Sequence, residues 1–258
     1  MRTRDLLCLL IAAPVLLLSA SAASAADAYD TVQAAGPQAV LEATDKRMVQ
    51  ANTQQWRFKM TVAPKTGDPK HMEFVVWQKD RTKRLVRFVA PGPVKGLSML
   101  TRGKGIMYVY SPETDNVRRI ATHAKRQSLL GSNLYFSDMS AADMSEEYTA
   151  VFAEDAADHR WLTLTKKADS DAAWDALRAR VDKSKLLVDT IEYLDGKKVV
   201  RIQRRTQFET LGGHPTYRVV SMETVGDGLV TTLEMQEQHV GPELEDGMFK
   251  KRNLVRGQ

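Results

Sequence analysis

The sequence predicts a mainly β protein built on one large, curved antiparallel sheet. Three observations lead to this prediction. Apolar and polar side chains alternate with a period of two in about a dozen short segments after residue 54. Turn residues separate these segments, and Asp195-Gly196 is the clearest hairpin turn. Helical patterns are confined to two places and no linker divides the chain, which indicates a single domain.

The first residues have the pattern of a secretory signal peptide. A basic start precedes an apolar run from Leu6 to Leu18, and only Ser and Ala follow as far as Ala26. The apolar run is shorter than the roughly 20 residues that span a bilayer, and Ala23-Ser24-Ala25 fits the small-residue rule for cleavage. We therefore expect a cleaved signal peptide over residues 1–25 and an exported, periplasmic domain over residues 26–258.

Composition narrows the class of protein and its partners. Apolar residues make up 43% of the chain, as in globular domains, which excludes a largely disordered chain. The one cysteine, Cys8, lies in the expected signal peptide, so no intramolecular disulfide is possible. The formal net charge of +5 suits contact with anionic lipid or an acidic protein, whereas export argues against nucleic acid as a partner.

The first element of the mature domain is expected to be a helix. A helical pattern in residues 34–52 opens at Gly36-Pro37, where proline suits a first helical turn. Its polar face includes Glu42 and Asp45. Its apolar face holds Val40, Leu41, Thr44 and Met48.

Residues 55–63 and 70–79 show the clearest alternation of the expected strands. Charged residues point one way, and the apolar residues that we place on the inner, concave face are Trp56, Phe58, Met60, Met72, Phe74 and Val76. The pattern does not show which face of residues 106–111 points inward, because Met107 and Val109 on one side and Tyr108 and Tyr110 on the other are all apolar.

Further strands are expected over residues 84–90, 95–102, 106–111, 116–121, 148–153, 160–166, 186–194, 197–210, 216–225 and 229–239. Residues 172–182 fit either a helix or a strand, and a strand from Ala176 is favoured. Between the sixth and seventh strands, Thr122 is expected to cap a short helix that Gly131 ends. A second helical turn is expected near residues 141–144.

The sequence contains no catalytic constellation. Its five histidines are isolated, and none has a second ligand at the spacing of a zinc site. Residues 96–100 resemble a nucleophile elbow but lack its second glycine, and residues 103–105 are too short for a phosphate-binding loop. The sequence therefore predicts no enzymatic activity, no metal and no cofactor.

Methionines are prominent on the expected strands, where Met60, Met72, Met99 and Met107 lie near aromatic residues. Methionine adapts its shape and suits surfaces that accept varied apolar ligands. A closed core explains the same spacing, because alternation does not distinguish a filled barrel from a hollow one.

Short motifs along nearly all of the mature chain resemble the outer membrane lipoprotein-sorting proteins, which are periplasmic relatives of the LolA-type lipoprotein carrier. No single motif is specific, but their combination is. The motifs are Arg87-Phe88, Pro91, Lys95-Gly96, Leu100, Tyr108-Val109-Tyr110-Ser111-Pro112, Arg118-Arg119-Ile120, Arg126, Gly131-Ser132 and Asp138-Met139, with weaker matches at Asp195-Gly196-Lys197 and at Gly247-Met248-Phe249 and Leu254.

The resemblance implies a half-open, strongly curved antiparallel sheet, an incomplete barrel, with helices that cover its concave face as a lid. The cavity between them would shield acyl chains, which gain about 0.8 kcal/mol per buried CH₂. The candidate cavity residues are Trp56, Phe58, Met60, Met72, Phe74, Val76, Leu97, Met99, Tyr108 and Tyr110. The candidate lid residues are Leu129, Leu130, Leu134 and Phe136, with Gly131 as a flexible break.

Two departures from the family pattern leave the cargo open. Tyr108 stands where LolA-type carriers commonly have tryptophan, and residues 102–105 replace a simpler Asp-Gly turn. The expected partners are therefore lipoprotein acyl chains or an envelope lipid such as a glycerolipid. The resemblance also implies an inner-membrane exporter partner of the resistance-nodulation-division type, and we expect a monomer. The alternative function is a lipid-responsive periplasmic sensor, since regulators of anti-sigma factors share this type of fold.

Overall fold

The computed structural model describes residues 25–256 except 50, 104, 141–142 and 212. The expected signal peptide, apart from its last residue, lies outside the described residues. Thirteen strands are described, and they are β1 (Thr53–Ala63), β2 (Lys70–Lys79), β3 (Lys83–Ala90), β4 (Ser98–Arg102), β5 (Ile106–Ser111), β6 (Asn116–Ile120), β7 (Tyr148–Asp155), β8 (His159–Lys166), β9 (Ala176–Asp182), β10 (Leu187–Asp195), β11 (Lys198–Leu211), β12 (His214–Thr224) and β13 (Val230–Val240). The helices are α1 (Ala25–Gln33), α2 (Pro37–Met48), α3 (Met144–Glu147) and α4 (Asn253–Arg256).

All thirteen strands belong to one antiparallel sheet in the order β6-β5-β4-β3-β2-β1-β13-β12-β11-β10-β9-β8-β7. The first and last strands therefore pair at its centre, and β6 and β7 are its two edges. These edges are consecutive in the chain, so residues 121–147 connect one edge to the other across the open side. The prediction of a mainly β, half-open sheet with helices over its concave face is confirmed.

The larger apolar cluster defines the inner face of the sheet. Met60, Phe74, Met99, Leu162 and Val181, from strands on both sides of the centre, are buried in it. Helix α2 and the connection between β6 and β7 contribute further members, including Val40, Leu41, Leu129, Leu134 and Phe136. The core therefore lies between the sheet and the segments that cross its inner face.

A second, smaller cluster lies on the outer face of β3, β4 and β5. Leu85, Leu100 and Tyr110 are buried there beneath Phe249 and Leu254 of the C-terminal segment. Tyr108 packs against the same cluster, and Lys251 lies 5.5 Å from the centre of its ring. The placement of Tyr108 and Tyr110 in the cavity is therefore wrong. The C-terminal segment covers them on the outer face, and Met107 and Val109 point inward.

The other differences concern the connection over the inner face and the first helix. Residues 122–126 form only a 3₁₀ turn, and its N-terminal flanking residue is Ala121, without a side-chain cap. Asp45, expected on the polar face of α2, is buried, because α2 packs against α3 and the sheet on both sides. Sequence patterns also missed α1, which precedes the expected helix and buries Tyr29.

Candidate functional site

Two adjoining cavities of about 300 and 230 Å³ lie between the inner face, helix α2 and the connection between β6 and β7. Together they reach the range of roughly 300–1,000 Å³ that small-molecule sites occupy. The residues that line both cavities are Met48, Trp56, Arg84, Asp138, Gln203 and Arg205. We call the smaller one the apolar cavity, because its walls are mainly Phe58, Phe74, Val76, Val86, Leu134, Met139, Val220, Met222, Leu233 and Met235.

Aromatic rings form one wall of the apolar cavity. The Phe58 and Phe74 rings stack with their centres 5.4 Å apart, and the Phe74 and Phe88 rings are 5.2 Å apart. Cross-strand pairing produces this row, because Phe58 of β1 lies opposite Phe74 of β2, which lies opposite Phe88 of β3. Phe74 is only 1% exposed, whereas Phe58 is partly exposed to the cavity.

The structure brings some of the candidate cavity residues to the cavities and not others. Trp56, Phe58, Phe74 and Val76 line them. Met60, Met72 and Met99 are buried in the inner cluster away from both cavities, and Leu97 packs against that cluster. Tyr108 and Tyr110 lie on the outer face, as described above.

The candidate lid residues lie in a hairpin-like loop. Ser128 pairs with Tyr135, and the Leu129 amide donates to the Leu134 carbonyl at 2.7 Å. Leu130 and Gly131 form its tip, with φ of +55° and +72°. Leu134 lines the apolar cavity, whereas Leu129 and Phe136 are buried in the inner cluster and Leu130 packs against it.

Asn133 fastens this loop to the sheet, and we call residues 122–136 the lid loop. Its amide nitrogen Nδ2 donates to Thr224 Oγ1 at 2.7 Å, and its Oδ1 accepts from Thr231 Oγ1 at 3.1 Å. The backbone N–H of Asn133 donates to Thr231 Oγ1 at 3.0 Å. The loop therefore reaches across the inner face from one edge of the sheet to β12 and β13.

A buried ion pair holds the same loop on β11. Arg201 is 1% exposed, and its Nη2 donates to Asp138 Oδ2 at 2.6 Å and to the Asn133 carbonyl at 2.7 Å. The guanidinium carbon lies 3.9 Å from the centre of the Tyr135 ring and 4.6 Å from that of Tyr193. Charge pairing and aromatic stacking thus offset the desolvation of this arginine.

The larger cavity has a polar wall. Asp45 accepts a hydrogen bond of 2.7 Å from the Ser145 amide, and burial raises the pKa of its carboxyl to about 6. Asp143 forms an ion pair with Arg81, so its charge is already balanced. Burial also raises the pKa of Glu147. Burial therefore shifts both carboxyls toward the protonated form, but Asp45, with a pKa of about 6, is still mostly ionised at pH 7.

Sequence reasoning missed Asn133, Arg201 and Asp45 as parts of the site. The motif at Asp138 was noted only as a match to the family, and no local pattern indicated its partner on β11, 63 residues away. A buried arginine at an inward position of a strand, such as Arg201, is the one signal that could have pointed to an acidic partner.

The site shows no sign of metal chemistry within residues 25–256. No group of three or more His, Cys, Asp and Glu side chains among the described residues could hold a metal ion. In the same part of the chain, every helix is too short or too polar to cross a membrane.

The fold and site define an open half-barrel with a covered internal cavity. A family model described as "Uncharacterized protein" matches residues 80–256, most of the chain, and the chain belongs to that family. The fold that the resemblance to the outer membrane lipoprotein-sorting proteins implied is confirmed by solved structures that share it. No curated protein matches the sequence.

Solved structures that share this fold include a DUF1329 family protein, a lipoprotein-sorting protein domain and a LolA superfamily protein. A DUF1329 family protein from Desulfovibrio piger superposes with a TM-score of 0.76 at 22% identity, over 84% of this chain and 98% of that one. An outer membrane lipoprotein-sorting protein domain from Vibrio parahaemolyticus has a TM-score of 0.76 at 18% identity, over 85% and 98%. A LolA superfamily protein from Nitrosomonas europaea has a TM-score of 0.72 at 18% identity, over 84% and 98%.

Proposed function

We propose that this protein is a periplasmic carrier that holds lipoprotein acyl chains or an envelope lipid in its inner cavities and moves them toward the outer membrane. A signal peptide over residues 1–25 would direct a single carrier domain, residues 26–258, into the periplasm. An inner-membrane exporter is the proposed donor or partner. The observation that carries the proposal is an apolar cavity, walled by stacked aromatic rings, beneath a lid loop.

The physical basis is the burial of hydrocarbon. Each CH₂ group of an acyl chain gains about 0.8 kcal/mol when it leaves water, and the apolar cavity presents aromatic and aliphatic walls to such a chain. The lid loop is part of the segment that joins the two edges of the sheet, so its displacement would open the cavity without unpairing the strands. A carrier needs both properties, because it must hold its cargo and then release it.

The test compares two aspartate substitutions. Phe58→Asp places a carboxylate in the apolar cavity, whereas Val151→Asp places one on β7 at a side chain that is 59% exposed and lies outside both cavities. Each protein is purified from the periplasm, its lipid is extracted for mass spectrometry, and its thermal unfolding is recorded. The wild type and Val151→Asp should carry acyl lipid, and Phe58→Asp should lose roughly 90% of it while still unfolding cooperatively.

Two results would contradict the proposal. One is a wild-type protein that carries no acyl lipid and binds no added fluorescent acyl probe. The other is full lipid occupancy of Phe58→Asp, which would mean that any bound lipid lies elsewhere. Transfer of a labelled lipid from the loaded protein to acceptor vesicles then separates a carrier, which releases its cargo, from a sensor that retains it.

A further inference from the structure

Two arginines enter the cavities from well-separated strands. Arg84 is on β3 and Arg205 is on β11, and four strands lie between these two in the sheet. Both side chains line both cavities, so their positive charges meet the same enclosed space. Their inward direction follows from the strand pattern, since Arg84 shares a face with Val86, and Arg205 shares one with Arg201.

Among the described residues, neither guanidinium forms a hydrogen bond or salt bridge with a carboxylate, although Asp143 lies near Arg84, and Asp45 and Asp189 lie near Arg205. Arg84 donates from Nε to Gln78 Oε1 at 3.0 Å and from Nη1 to the Ser140 carbonyl. Arg205 donates from Nη1 to the Val188 carbonyl at 3.1 Å. Their hydrogen-bond partners are therefore neutral groups.

The charge balance of the apolar cavity is positive. Its lining contains one carboxylate, Asp138, which already pairs with the buried Arg201. Arg84 and Arg205 are the charges of this lining that form no salt bridge. Further carboxyls lie on the wall of the larger cavity, and they are Asp45, Asp143 and Glu147. Burial lowers the pKa of Arg84 to about 10, so Arg84 stays protonated at neutral pH, and burial also lowers the pKa of Arg205.

Both arginines are only partly exposed, and a poorly hydrated cation without a paired counterion is unfavourable, so an anion that entered the cavity would offset this cost. A guanidinium offers two parallel N–H donors whose geometry matches a carboxylate or a phosphate. The aromatic wall of Phe58 and Phe74 lines the same apolar cavity. The cavity therefore combines a site for an anion with a surface for hydrocarbon.

We propose that the cavity selects amphiphiles with an anionic headgroup, a carboxylate or a phosphate, which Arg84 and Arg205 bind while the acyl chain lies along the aromatic wall. This inference rests on the proposed carrier function and narrows its cargo. It distinguishes anionic lipids from neutral lipids of the same chain length.

The experiment measures binding by delipidated protein of a fluorescent long-chain fatty acid and of its methyl ester, which keeps the chain and removes the charge. A matching alkyl phosphate and inorganic phosphate are tested as competitors. The variants are Arg84→Gln and Arg205→Gln, with Arg204→Gln as the matched control. Arg204 lies next to Arg205 on β11 but outside both cavities, where it pairs with Glu223.

The wild type and Arg204→Gln should bind the acid roughly 10–100-fold more tightly than the ester, as expected for hydrogen bonds to charged groups. Arg84→Gln and Arg205→Gln should bind the ester as the wild type does and lose most of this preference. The alkyl phosphate should compete, and inorganic phosphate should compete far more weakly. If a glutamine variant does not fold, the test is the pH dependence of binding by the wild-type protein. Its preference for the acid over the ester should vanish below about pH 4, because the ligand carboxyl is then protonated.

Equal wild-type affinity for acid and ester would overturn this inference and leave the carrier function standing. Loss of binding for both probes would overturn the carrier function itself. Competition by inorganic phosphate as strong as that by the alkyl phosphate would assign a free-anion site instead of a lipid headgroup site. A glutamine variant that folds and keeps the full preference would show that its arginine does not bind the headgroup.

Discussion

The inner face of the sheet has a filled half and an open half. On β4 and β5, Met99, Met107 and Val109 are fully buried in the inner cluster and line neither cavity. On β1, Trp56 and Phe58 are only partly buried, and their side chains face the cavities. Both halves show the same alternation of apolar and polar residues. Alternation therefore indicates which side chains point inward, but the segments that cross the face decide whether the space above them is filled.

The largest expected effect is the loss of folding in Phe74→Asp, which tests whether a fully buried inner-face side chain differs from a partly exposed one. Phe74 is 1% exposed between the Phe58 and Phe88 rings, so the substitution would bury an unpaired charge as well as remove an aromatic contact. Removal of a buried Phe alone costs about 3–5 kcal/mol, which is comparable with the whole stability of many domains. Urea unfolding should show no cooperative transition.

Phe58→Asp is the matched partner of this variant, because the two phenylalanines are cross-strand neighbours. The sequence pattern treats the two residues alike as inward-facing cavity candidates, but the burial of Phe74 distinguishes them. Phe58→Asp should still unfold cooperatively, since its carboxylate can be hydrated from the cavity. If both variants retained equal stability, the Phe74 position would be as accessible to water from the cavity as the Phe58 position.

The next effect concerns the ion pair that holds the lid loop. Asp138→Ala should destabilise the protein by about 3–5 kcal/mol, because it leaves Arg201 buried without a counterion. Glu223→Ala is the control, since it breaks the partly exposed pair with Arg204 and should cost less than about 1 kcal/mol. Chemical denaturation measures both. Similar losses in the two variants would mean that Arg201 finds another partner.

A pH-dependent effect is expected at Asp45, at the wall of the larger cavity. Because burial raises its pKa to about 6 in the folded state, folding takes up a proton between about pH 4 and 6. Stability from this group is therefore present at low pH and is lost as pH rises through 6, by roughly 2–3 kcal/mol. The nearby Asp143 adds to the shift, whereas Arg81 and the hydrogen bonds from Ser145 oppose it.

Asp45→Asn removes this titration and can keep an oxygen acceptor for the Ser145 amide. As the pH rises from 4 to 7, the wild type should lose stability at Asp45 and the variant should not. The free energy of unfolding of the variant, minus that of the wild type, should therefore increase over this range. Urea titrations at several pH values give the difference, which cancels the contributions of other groups. A difference that stays constant with pH would show that Asp45 titrates normally.

The smallest effect is expected in the lid loop. Residues 122–136 should exchange amide hydrogens faster than the central strands, because the loop is displaced without unpairing the sheet. Asn133→Ala removes the side-chain bonds to Thr224 and Thr231 and should lower the opening free energy by about 1–2 kcal/mol. Exchange in β9 and β10 serves as the internal control. Protection of the loop equal to that of β1, unchanged in the variant, would exclude a movable lid.

Much of the fold was predictable because it is encoded locally. The alternation gave the positions of β2 and β5 to the residue, and the Asp195-Gly196 turn marked the hairpin of β10 and β11. The ambiguous segment before residue 182 is a strand from Ala176, as favoured. Trp56 and Phe58 were placed on the cavity side for the same reason, since a period of two assigns a face whenever the opposite side is polar.

Sequence by itself determined the mainly β class, the strand order along the chain and the inward direction of Trp56, Phe58 and Phe74. Only the tertiary structure decided the face of Tyr108 and Tyr110, because both sides of β5 are apolar and the C-terminal segment that covers the outer side is distant in sequence. It also decided the pairing of Arg201 with Asp138 across 63 residues. The physical reason is that local alternation specifies direction, whereas burial and charge pairing depend on which remote segment is packed above.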